Sequence, residues 1–313
     1  MAIFKLKPAC KDYVWGGRRL ADEFGIDSDK KILAEAWTLS CHPDGASTIA
    51  SGDCAGQTLT AYIAAHGAEI LGTNCRGLDD FPIIVKLIDA HDNLSVQVHP
   101  DDAYALAHEN QRGKSEVWYV LDCDEGAHLY YGLKKKISRD EFAARIKNNT
   151  LAEVLNTVPA KRGEVIFIPA GTIHALGKGV LLVEIQESSN VTYRIYDYNR
   201  GRPLHISQAV DVATLTPPAE RGEHYPHVAA CKFFCVDKLT LDGKILSEAS
   251  GVVDGRSFLN VLIVGGEGTL TCGGETLSYR KGDSFFVTAG AGAWTILGTC
   301  DALLTTVPDA ESF

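Results

Sequence analysis

A segment of this sequence occurs twice, and the two copies differ at one chemically important position. The first copy runs from Gly163 to His174, and the second runs from Gly282 to Ala293. Each copy contains a glycine, an apolar run of strand length, a Pro or Thr, and a turn with a second glycine, which is the pattern of a strand that ends in a tight turn. The repeat predicts one β framework used twice. Because the histidine is an alanine in the second copy, we expect the chemistry to lie in the first.

The length of the chain favours two domains. A chain of 313 residues with 45% hydrophobic residues exceeds the length at which a single core usually stops growing. The pair Pro217 and Pro218 stops a helical pattern and is followed by a turn-rich stretch that reaches Pro226. We therefore predict a catalytic domain of residues 1–220 and a smaller domain of residues 221–313.

The secondary-structure signals predict a mainly β protein. Short runs rich in Val, Ile, Phe and Tyr, separated by Gly and Asp turns, predict strands at 81–90, 116–122, 164–169, 180–186, 258–264, 284–288 and 293–297. Strands at this spacing are typical of β-sandwiches and jelly rolls. Helical spacing predicts helices at 58–71 and 138–155, as insertions into the β framework, and a third that starts at Ser207.

Charge and composition exclude several classes of function. The formal net charge of -10 argues against nucleic acid and anionic membranes as partners, because both favour basic surfaces. The first residues lack the apolar core of a signal peptide, and no run approaches the roughly 20 apolar residues that span a bilayer. We expect a cytoplasmic protein that acts on a small molecule. The closest cysteines, Cys231 and Cys235, have no obvious partner for a zinc site, so the nine cysteines are interpreted as reduced thiols.

Polar residues on strand faces predict a metal site in the N-terminal half. A period of two places polar side chains on one face in each of two strands: Ser95, Gln97 and His99 in the first, and Lys114 and Glu116 in the second. His174 follows the turn of the first repeat copy. Inside a barrel, four of these side chains can converge as nitrogen and oxygen donors: Gln97, His99, Glu116 and His174.

This donor set has several possible metals and several simpler interpretations. Two imidazoles and a carboxylate suit Zn²⁺, Fe²⁺, Mn²⁺ or Ni²⁺, with positions left for water or substrate. Taken singly, a His after a strand is more often a surface or hydrogen-bonded core residue, and Glu116 or Lys114 would be an ordinary surface residue. Gln97 is either a direct ligand or a hydrogen-bond partner of a metal-bound water.

Charged residues after His174 add a second candidate group. Glu184 lies in the strand that begins at Val180, and Arg194 begins another strand. A salt bridge from Arg194 to Glu184 or Glu187 is the simple interpretation. The alternative is anion binding, because the guanidinium fork makes several directed hydrogen bonds to a multi-oxygen anion.

The motifs together resemble those of a known family. The segment from Gly163 to His174 fits the second cupin motif, Gly-x5-Pro-x-Gly-x2-His, without a gap. Together with four further segments the chain resembles the type I mannose-6-phosphate isomerases, and more narrowly their short bacterial branch: Tyr13 to Gly17, Gln97 to Pro100, Gly113 to Tyr119 and Glu184 to Arg194. The resemblance covers nearly the whole chain. It implies two cupin (jelly-roll) barrels with a helical insertion in the N-terminal half and a metal-free second cupin.

The resemblance also implies an activity and a site. The family interconverts mannose 6-phosphate and fructose 6-phosphate through an enediol with one zinc ion per chain. By motif position, the zinc ligands would be Gln97, His99, Glu116 and His174, and the substrate site would be lined by Ser95, Lys114, Glu184 and Arg194. Glu184 suits the role of the base, Lys114 that of stabilising charge on oxygen, and Arg194 with Ser95 that of holding phosphate or hydroxyls. The phosphate could instead be bound by Lys114, Lys86 or Arg202.

Two other functions remain as alternatives. One is another metal-dependent cupin enzyme, such as an iron oxygenase or a different sugar-phosphate isomerase; an oxygenase would need iron and consume O₂. The other is a non-catalytic sugar-binding protein, which would not need a base beside an open metal site. The sequence leaves the oligomeric state open.

Overall fold

The computed structural model describes residues 2–218 and 227–309. The segment from Glu220 to Pro226, and with it the predicted boundary between residues 220 and 221, lies outside the described residues. The chain divides into two compact units: unit 1 comprises residues 1–12, 18–87 and 223–313, and unit 2 comprises residues 13–17 and 88–222.

The helices are few and short. In chain order they are α1 (Arg19–Asp22), α2 (Leu59–His66), α3 (Asp102–Glu109), α4 (Arg139–Lys147) and α5 (Ile206–Val212). Within the described residues, three 3-10 turns lie at Ala68–Leu71, Thr73–Cys75 and Leu151–Val154. No helix among the described residues is both long and apolar enough to cross a membrane.

Strands make up most of the regular structure of the described residues. The first ten are β1 (Ile3–Lys7), β2 (Ala9–Lys11), β3 (Glu35–Leu39), β4 (Thr48–Ile49), β5 (Ile83–Ala90), β6 (Val96–Val98), β7 (Glu116–Cys123), β8 (His128–Leu133), β9 (Leu155–Pro159) and β10 (Val165–Ile168). They continue with β11 (His174–Leu176), β12 (Val180–Glu187), β13 (Tyr193–Tyr196), β14 (Ala229–Ala230), β15 (Cys235–Leu241), β16 (Glu248–Val253), β17 (Leu259–Cys272), β18 (Glu275–Arg280), β19 (Ser284–Val287) and β20 (Gly292–Thr306). The predicted mainly β class is confirmed.

The predicted helices exist but are shorter than expected. The helix expected at 58–71 ends at His66, because Gly67 has φ of 87° and breaks it before the following 3-10 turn. The helix expected at 138–155 ends at Lys147, and its start is capped as predicted, since the Ser138 hydroxyl accepts from the Glu141 N–H at 3.1 Å. The helix α3 was not predicted.

The two copies of the sequence repeat form matching strand-turn units. In the first copy β10 leads through a turn to His174, and in the second β19 leads through a turn to β20, which contains Ala293. The opening glycines, Gly163 and Gly282, have φ of 82° and 96°. Both lie in the left-handed region that favours glycine, so the repeated glycine is explained by the turn that it makes.

Unit 1 contains a sheet that joins the start of the chain to its C-terminal part. Its strand order is β14-β15-β20-β17-β19-β1-β4, with β16 paired to β20 and β18 paired to β17. The strand β1 runs antiparallel to β19, with Phe4 opposite Phe286. Side chains from both parts of the sequence, among them Ile3, Val261 and Phe285, share one hydrophobic core.

Unit 2 contains two sheet segments that bring polar side chains together between them. One is the sheet β13-β6-β11-β8-β9, and the other contains β10, β7 and β12 as neighbours. Val96 and Val98 of β6 pack in a core with Phe142 and Ile146 of α4. Since side chains alternate along a strand, Gln97 points to the opposite face, towards the second segment. The helices therefore cover one face of the sheet and leave the other for the candidate site.

Candidate metal centre and active site

Three buried donors from different strands meet in unit 2. His99 directly follows β6, Glu116 begins β7 and His174 begins β11. Within this set, one ring nitrogen of each histidine and a carboxylate oxygen all lie within 4.8 Å of one another, and the three side chains are buried. The predicted convergence of these three residues is found in the structure.

Backbone carbonyls determine which imidazole nitrogens face the site. Nδ1 of His99 lies 2.9 Å from the carbonyl oxygen of Val191, and Nδ1 of His174 lies 2.8 Å from that of Thr172. A carbonyl only accepts, so each Nδ1 carries the proton and each Nε2 presents a lone pair. This is the tautomer that a metal-binding histidine needs, held by the kind of second partner typical of metal sites.

The two Nε2 atoms face the Glu116 carboxylate. Nε2 of His174 lies 3.3 Å from Oε1, and Nε2 of His99 lies 3.6 Å from Oε2. The Lys114 ammonium contacts the same atoms, 2.9 Å from Oε2 of Glu116 and 3.1 Å from Nε2 of His99. Burial lowers the pKa of His174 to about 4, so its ring is neutral near pH 7, as a metal ligand must be. The donor set therefore fits a divalent cation.

Gln97 is adjacent to this donor set. It is the cross-strand partner of His174, and its amide nitrogen lies 3.3 Å from Nε2 of that histidine. A 180° rotation of the amide would exchange its nitrogen and oxygen and turn the oxygen, an acceptor with lone pairs, towards the same point. Gln97 is thus placed either to ligate through oxygen or to hold a water at the same point.

Glu184 is fixed at the edge of the donor set. It pairs across β12 and β7 with Trp118, and the indole N–H donates to its Oε2 at 2.9 Å. Its other oxygen lies 4.0 Å from the Lys114 ammonium. Glu184 and Lys114 are both buried, so a carboxylate and an ammonium are held beside the ligands in a largely dry environment.

Arg194 also faces the site but is not committed to a carboxylate. It is the cross-strand partner of Gln97 in the pair β13 and β6, which puts both side chains on one face. Its Nη1 donates to the Pro203 carbonyl at 3.2 Å, while its Nε is buried without a hydrogen-bond partner among the described residues. Burial, together with the nearby charge of Arg202, lowers the pKa of Arg194. The simple interpretation, a salt bridge to Glu184 or Glu187, is not found among the described ion pairs.

The other candidate cations for phosphate have carboxylate neighbours. Arg202 donates from Nε to Asp197 at 2.9 Å, and the ammonium of Lys86 lies 4.0 Å from Glu35. Ser95 is buried and, by strand alternation, shares the face of Gln97. These contacts favour Arg194 over Arg202 and Lys86 as an anion ligand.

Two kinds of functional group were not predicted from the sequence. The first is Trp118, although it shares a strand face with Glu116 and its position two residues later could have indicated it. The second comprises the carbonyls of Val191 and Thr172, for which the sequence contains no signal because every residue has a carbonyl.

A two-sheet β fold around a buried set of two histidines and a glutamate is typical of cupin metalloproteins. Comparison with known proteins identifies the family within this class. A family model for the phosphomannose isomerase type I catalytic domain matches residues 3–126, and one for the mannose-6-phosphate isomerase cupin domain matches residues 224–307. A mannose-6-phosphate isomerase of Streptococcus mutans is 36% identical over 304 residues, 93% of each chain. The mannose-6-phosphate isomerase ManA of Bacillus subtilis is 33% identical over 314 residues, 95% of this chain and 96% of that one.

A solved structure agrees with these matches. The crystal structure of a mannose 6-phosphate isomerase from Bacillus subtilis superposes with a TM-score of 0.88 at 33% identity, covering 97% of this chain and 99% of that one. The chain belongs to the type I mannose-6-phosphate isomerase family. The family resemblance and the cupin fold predicted from the motifs are confirmed.

Proposed function

We propose that this chain is a zinc-dependent aldose-ketose isomerase that interconverts mannose 6-phosphate and fructose 6-phosphate in the cytoplasm. Family membership supports the reaction. The observation that carries the proposal is the buried cluster of His99, Glu116 and His174 with Lys114 and Glu184 beside it, because a binding protein has no need of a fixed carboxylate next to open metal ligands.

In this proposal Gln97, His99, Glu116 and His174 hold the zinc ion. When bound, the ion polarises the sugar oxygens or a water. The carbonyls of Val191 and Thr172 keep both imidazoles in the tautomer that presents Nε2, so the ligands do not need to reorganise their protons on loading.

Glu184 is proposed as the base that moves a proton between C2 and C1. The carboxylate takes the proton from C2 of the aldose, which yields an enediol once the carbonyl oxygen at C1 has gained a proton. It then returns the proton to C1 while the hydroxyl at C2 loses its proton and becomes the ketone. The hydrogen bond from Trp118 at 2.9 Å holds one carboxylate oxygen, and the other oxygen, 4.0 Å from the Lys114 ammonium, is the one proposed to accept the proton.

Lys114, Arg194 and Ser95 are proposed to bind substrate oxygens. The Lys114 ammonium lies between Glu116 and Glu184, so it can stabilise negative charge that develops on the sugar oxygens near the base. Arg194 has a buried Nε–H with no described partner, which suits the phosphate. Ser95 adds a hydroxyl on the same face.

The test is a coupled assay of mannose 6-phosphate conversion before chelation, after chelation and after zinc is restored. We expect activity to be lost and then recovered with zinc in the wild type, and to be absent at every stage in His174→Ala. A matched control is His91→Ala, an exposed histidine of unit 2, which should behave as the wild type. Absence of turnover by the zinc-loaded protein, or iron-dependent O₂ consumption, would contradict the proposal.

A further inference from the structure

We propose that His227, Cys235 and Asp237 form a second divalent metal site, of the kind that takes zinc, in the C-terminal part of unit 1. Nothing in the isomerase reaction requires it. The site would use a thiolate, which separates it chemically from the nitrogen and oxygen donors of the candidate active site.

The three donors are brought together by a small hairpin. The strand β14 runs antiparallel to β15, with Ala230 opposite Cys235. Cys235 and Asp237 lie two residues apart on β15 and so share a face, and His227 precedes β14. One donor atom from each of the three side chains lies within 4.8 Å of the other two.

The nine cysteines are free thiols, as interpreted from the sequence, but the expectation that no zinc-site partner lies near Cys235 is wrong. The sequence suggested that Cys231 and Cys235 had no partner for a zinc site. In the structure His227 and Asp237 lie beside Cys235 and complete a set of three donors. The hairpin brings these donors together, so no Cys-x-x-Cys motif marks them in the sequence. Cys235 is a free thiol.

The distances suit a small tetrahedral ion. Zinc bonds of about 2.0–2.3 Å hold neighbouring ligand atoms about 3.3–3.8 Å apart, so a spacing of up to 4.8 Å needs only side-chain rotation to close. His227 and Asp237 are half-exposed and can rotate. Nδ1 of His227 already lies 2.7 Å from Asp237. A mixed imidazole, thiolate and carboxylate set favours zinc over Mg²⁺ or Ca²⁺, which prefer oxygen ligands alone.

The cluster opens onto a cavity. A cavity of about 630 Å³ within unit 1 is lined by all three donors and by Trp294, Asn74 and Ser257, among others. Three protein ligands leave a fourth tetrahedral position, which would face this space and hold water or a small ligand. The alternative, a hydrogen-bonded His227 and Asp237 pair beside an unrelated cysteine, needs no ion, and the experiment separates the two.

The experiment uses the full chain, stripped of metal and titrated with Co²⁺, which takes zinc sites and absorbs strongly in the near ultraviolet only when a thiolate is bound. We expect a thiolate-to-cobalt absorption band and a second ion per chain in the wild type. Cys235→Ser should lose the band and that ion. Asp237→Asn, at a half-exposed position, should bind the second ion at least tenfold more weakly. Both variants should keep isomerase activity.

A matched control is Cys272→Ser, a buried cysteine of unit 1 that is not part of the cluster; it should retain the band. A wild-type protein that binds a single ion and shows no thiolate band would overturn the inference. So would a band that survives in Cys235→Ser. If Cys235→Ser does not fold, Asp237→Asn decides the question on its own, since binding equal to that of the wild type would exclude the site.

Discussion

At the residue scale, the Lys114 ammonium lies against the same ligand atoms that would bind a metal ion. Its ammonium contacts both Glu116 and His99, at 2.9 Å and 3.1 Å. A metal ion bound by the same atoms would repel this ammonium, and Glu184, 4.0 Å away, offers it an alternative partner. We infer that the Lys114 ammonium would oppose metal binding through like-charge repulsion and would turn towards Glu184 when a metal ion is held by these ligands.

Lys114→Met should therefore separate metal affinity from turnover. Removal of the ammonium relieves like-charge repulsion, so zinc should bind roughly tenfold more tightly, equivalent to about 1.4 kcal/mol. The loss of a donor to the reacting oxygens should lower kcat by about 10²–10⁴-fold. Competition with a chelator and steady-state kinetics measure the two effects. Lys178→Met, at an exposed position, should change neither, and weaker zinc binding in Lys114→Met would show that the lysine is merely structural.

A different result is expected for Arg194, because its proposed role is to bind the substrate. Arg194→Ala should raise KM for mannose 6-phosphate by about 10–100-fold, the loss expected for one charge-assisted hydrogen-bonded contact, with a smaller change in kcat. Inhibition by inorganic phosphate should weaken in parallel. The comparison variant is Arg202→Ala, whose guanidinium already donates to Asp197. A larger effect in Arg202→Ala would assign the phosphate to that residue instead.

At the scale of elements, the connection between α3 and β7 positions Lys114. The N–H of Gly113 donates to Asp102 at 2.9 Å, and the N–H of Ser115 donates to Glu187 at 2.7 Å. A Cβ added at Gly113 would lie 2.5 Å from backbone atoms of Asp101 and Asp102, so only glycine fits. The residues on both sides of Lys114 are thus held by buried or half-buried carboxyl groups.

One of these carboxyl groups makes stability depend on pH. Burial and the neighbouring Asp102 raise the pKa of Glu187 to about 8, above the value near 4.5 of the unfolded chain. The folded state keeps this proton while the unfolded state loses it, so the stabilisation is complete below about pH 4.5 and is lost as the pH rises towards 8. Glu187→Gln, which cannot ionise, should be more stable than the wild type by roughly 2–4 kcal/mol near pH 8.5 and about equal to it near pH 5.

Denaturation midpoints measured across this pH range test the prediction. The control is Glu125→Gln, at an exposed turn position, which should follow the wild-type curve. Parallel pH profiles for Glu187→Gln and the wild type would mean that Glu187 is ionised in the folded protein at neutral pH.

The sequence analysis predicted the side chains of the candidate site more successfully than the backbone carbonyls that hold those side chains. Strand alternation and the turn after Pro169 were sufficient to bring His99, Glu116 and His174 together. The Val191 carbonyl, which sets the His99 tautomer, lies 92 residues further along the chain, and such a contact depends on packing that no local pattern encodes.

The helix α3 and the donor cluster around Cys235 were also not predicted from the sequence. The helix α3 was missed because it buries almost no apolar surface: only Ala105 of its eight residues is buried, and its one leucine, Leu106, is exposed. Its signals were instead the Asp101 cap and the left-handed Asn110. The set around Cys235 was missed because its donors are grouped by strand pairing.

At the scale of the whole molecule, unit 1 is discontinuous in sequence. The strand β1 lies between β19 and β4, so residues from the start of the chain complete a sheet built mostly from residues beyond 227. Without β1, the backbone groups along one edge of β19 would be unpaired. An exposed strand edge of this kind promotes aggregation. The contiguous division into residues 1–220 and 221–313 stays a prediction. A fragment of residues 221–313 would lack the strand β1 and its pairing with β19.

Phe4→Ala tests this arrangement. Phe4 is fully buried, opposite Phe286, with its ring centroid 4.5 Å from that of Tyr62, so truncation should cost about 3–5 kcal/mol. Thermal unfolding should begin roughly 10 °C lower. Below that transition, zinc binding by the candidate active site should be unchanged, because its ligands all belong to unit 2. Val252→Ala, at an exposed position on β16, should leave both properties unaltered. Loss of zinc from folded Phe4→Ala would show that β1 supports the ligands as well as the sheet.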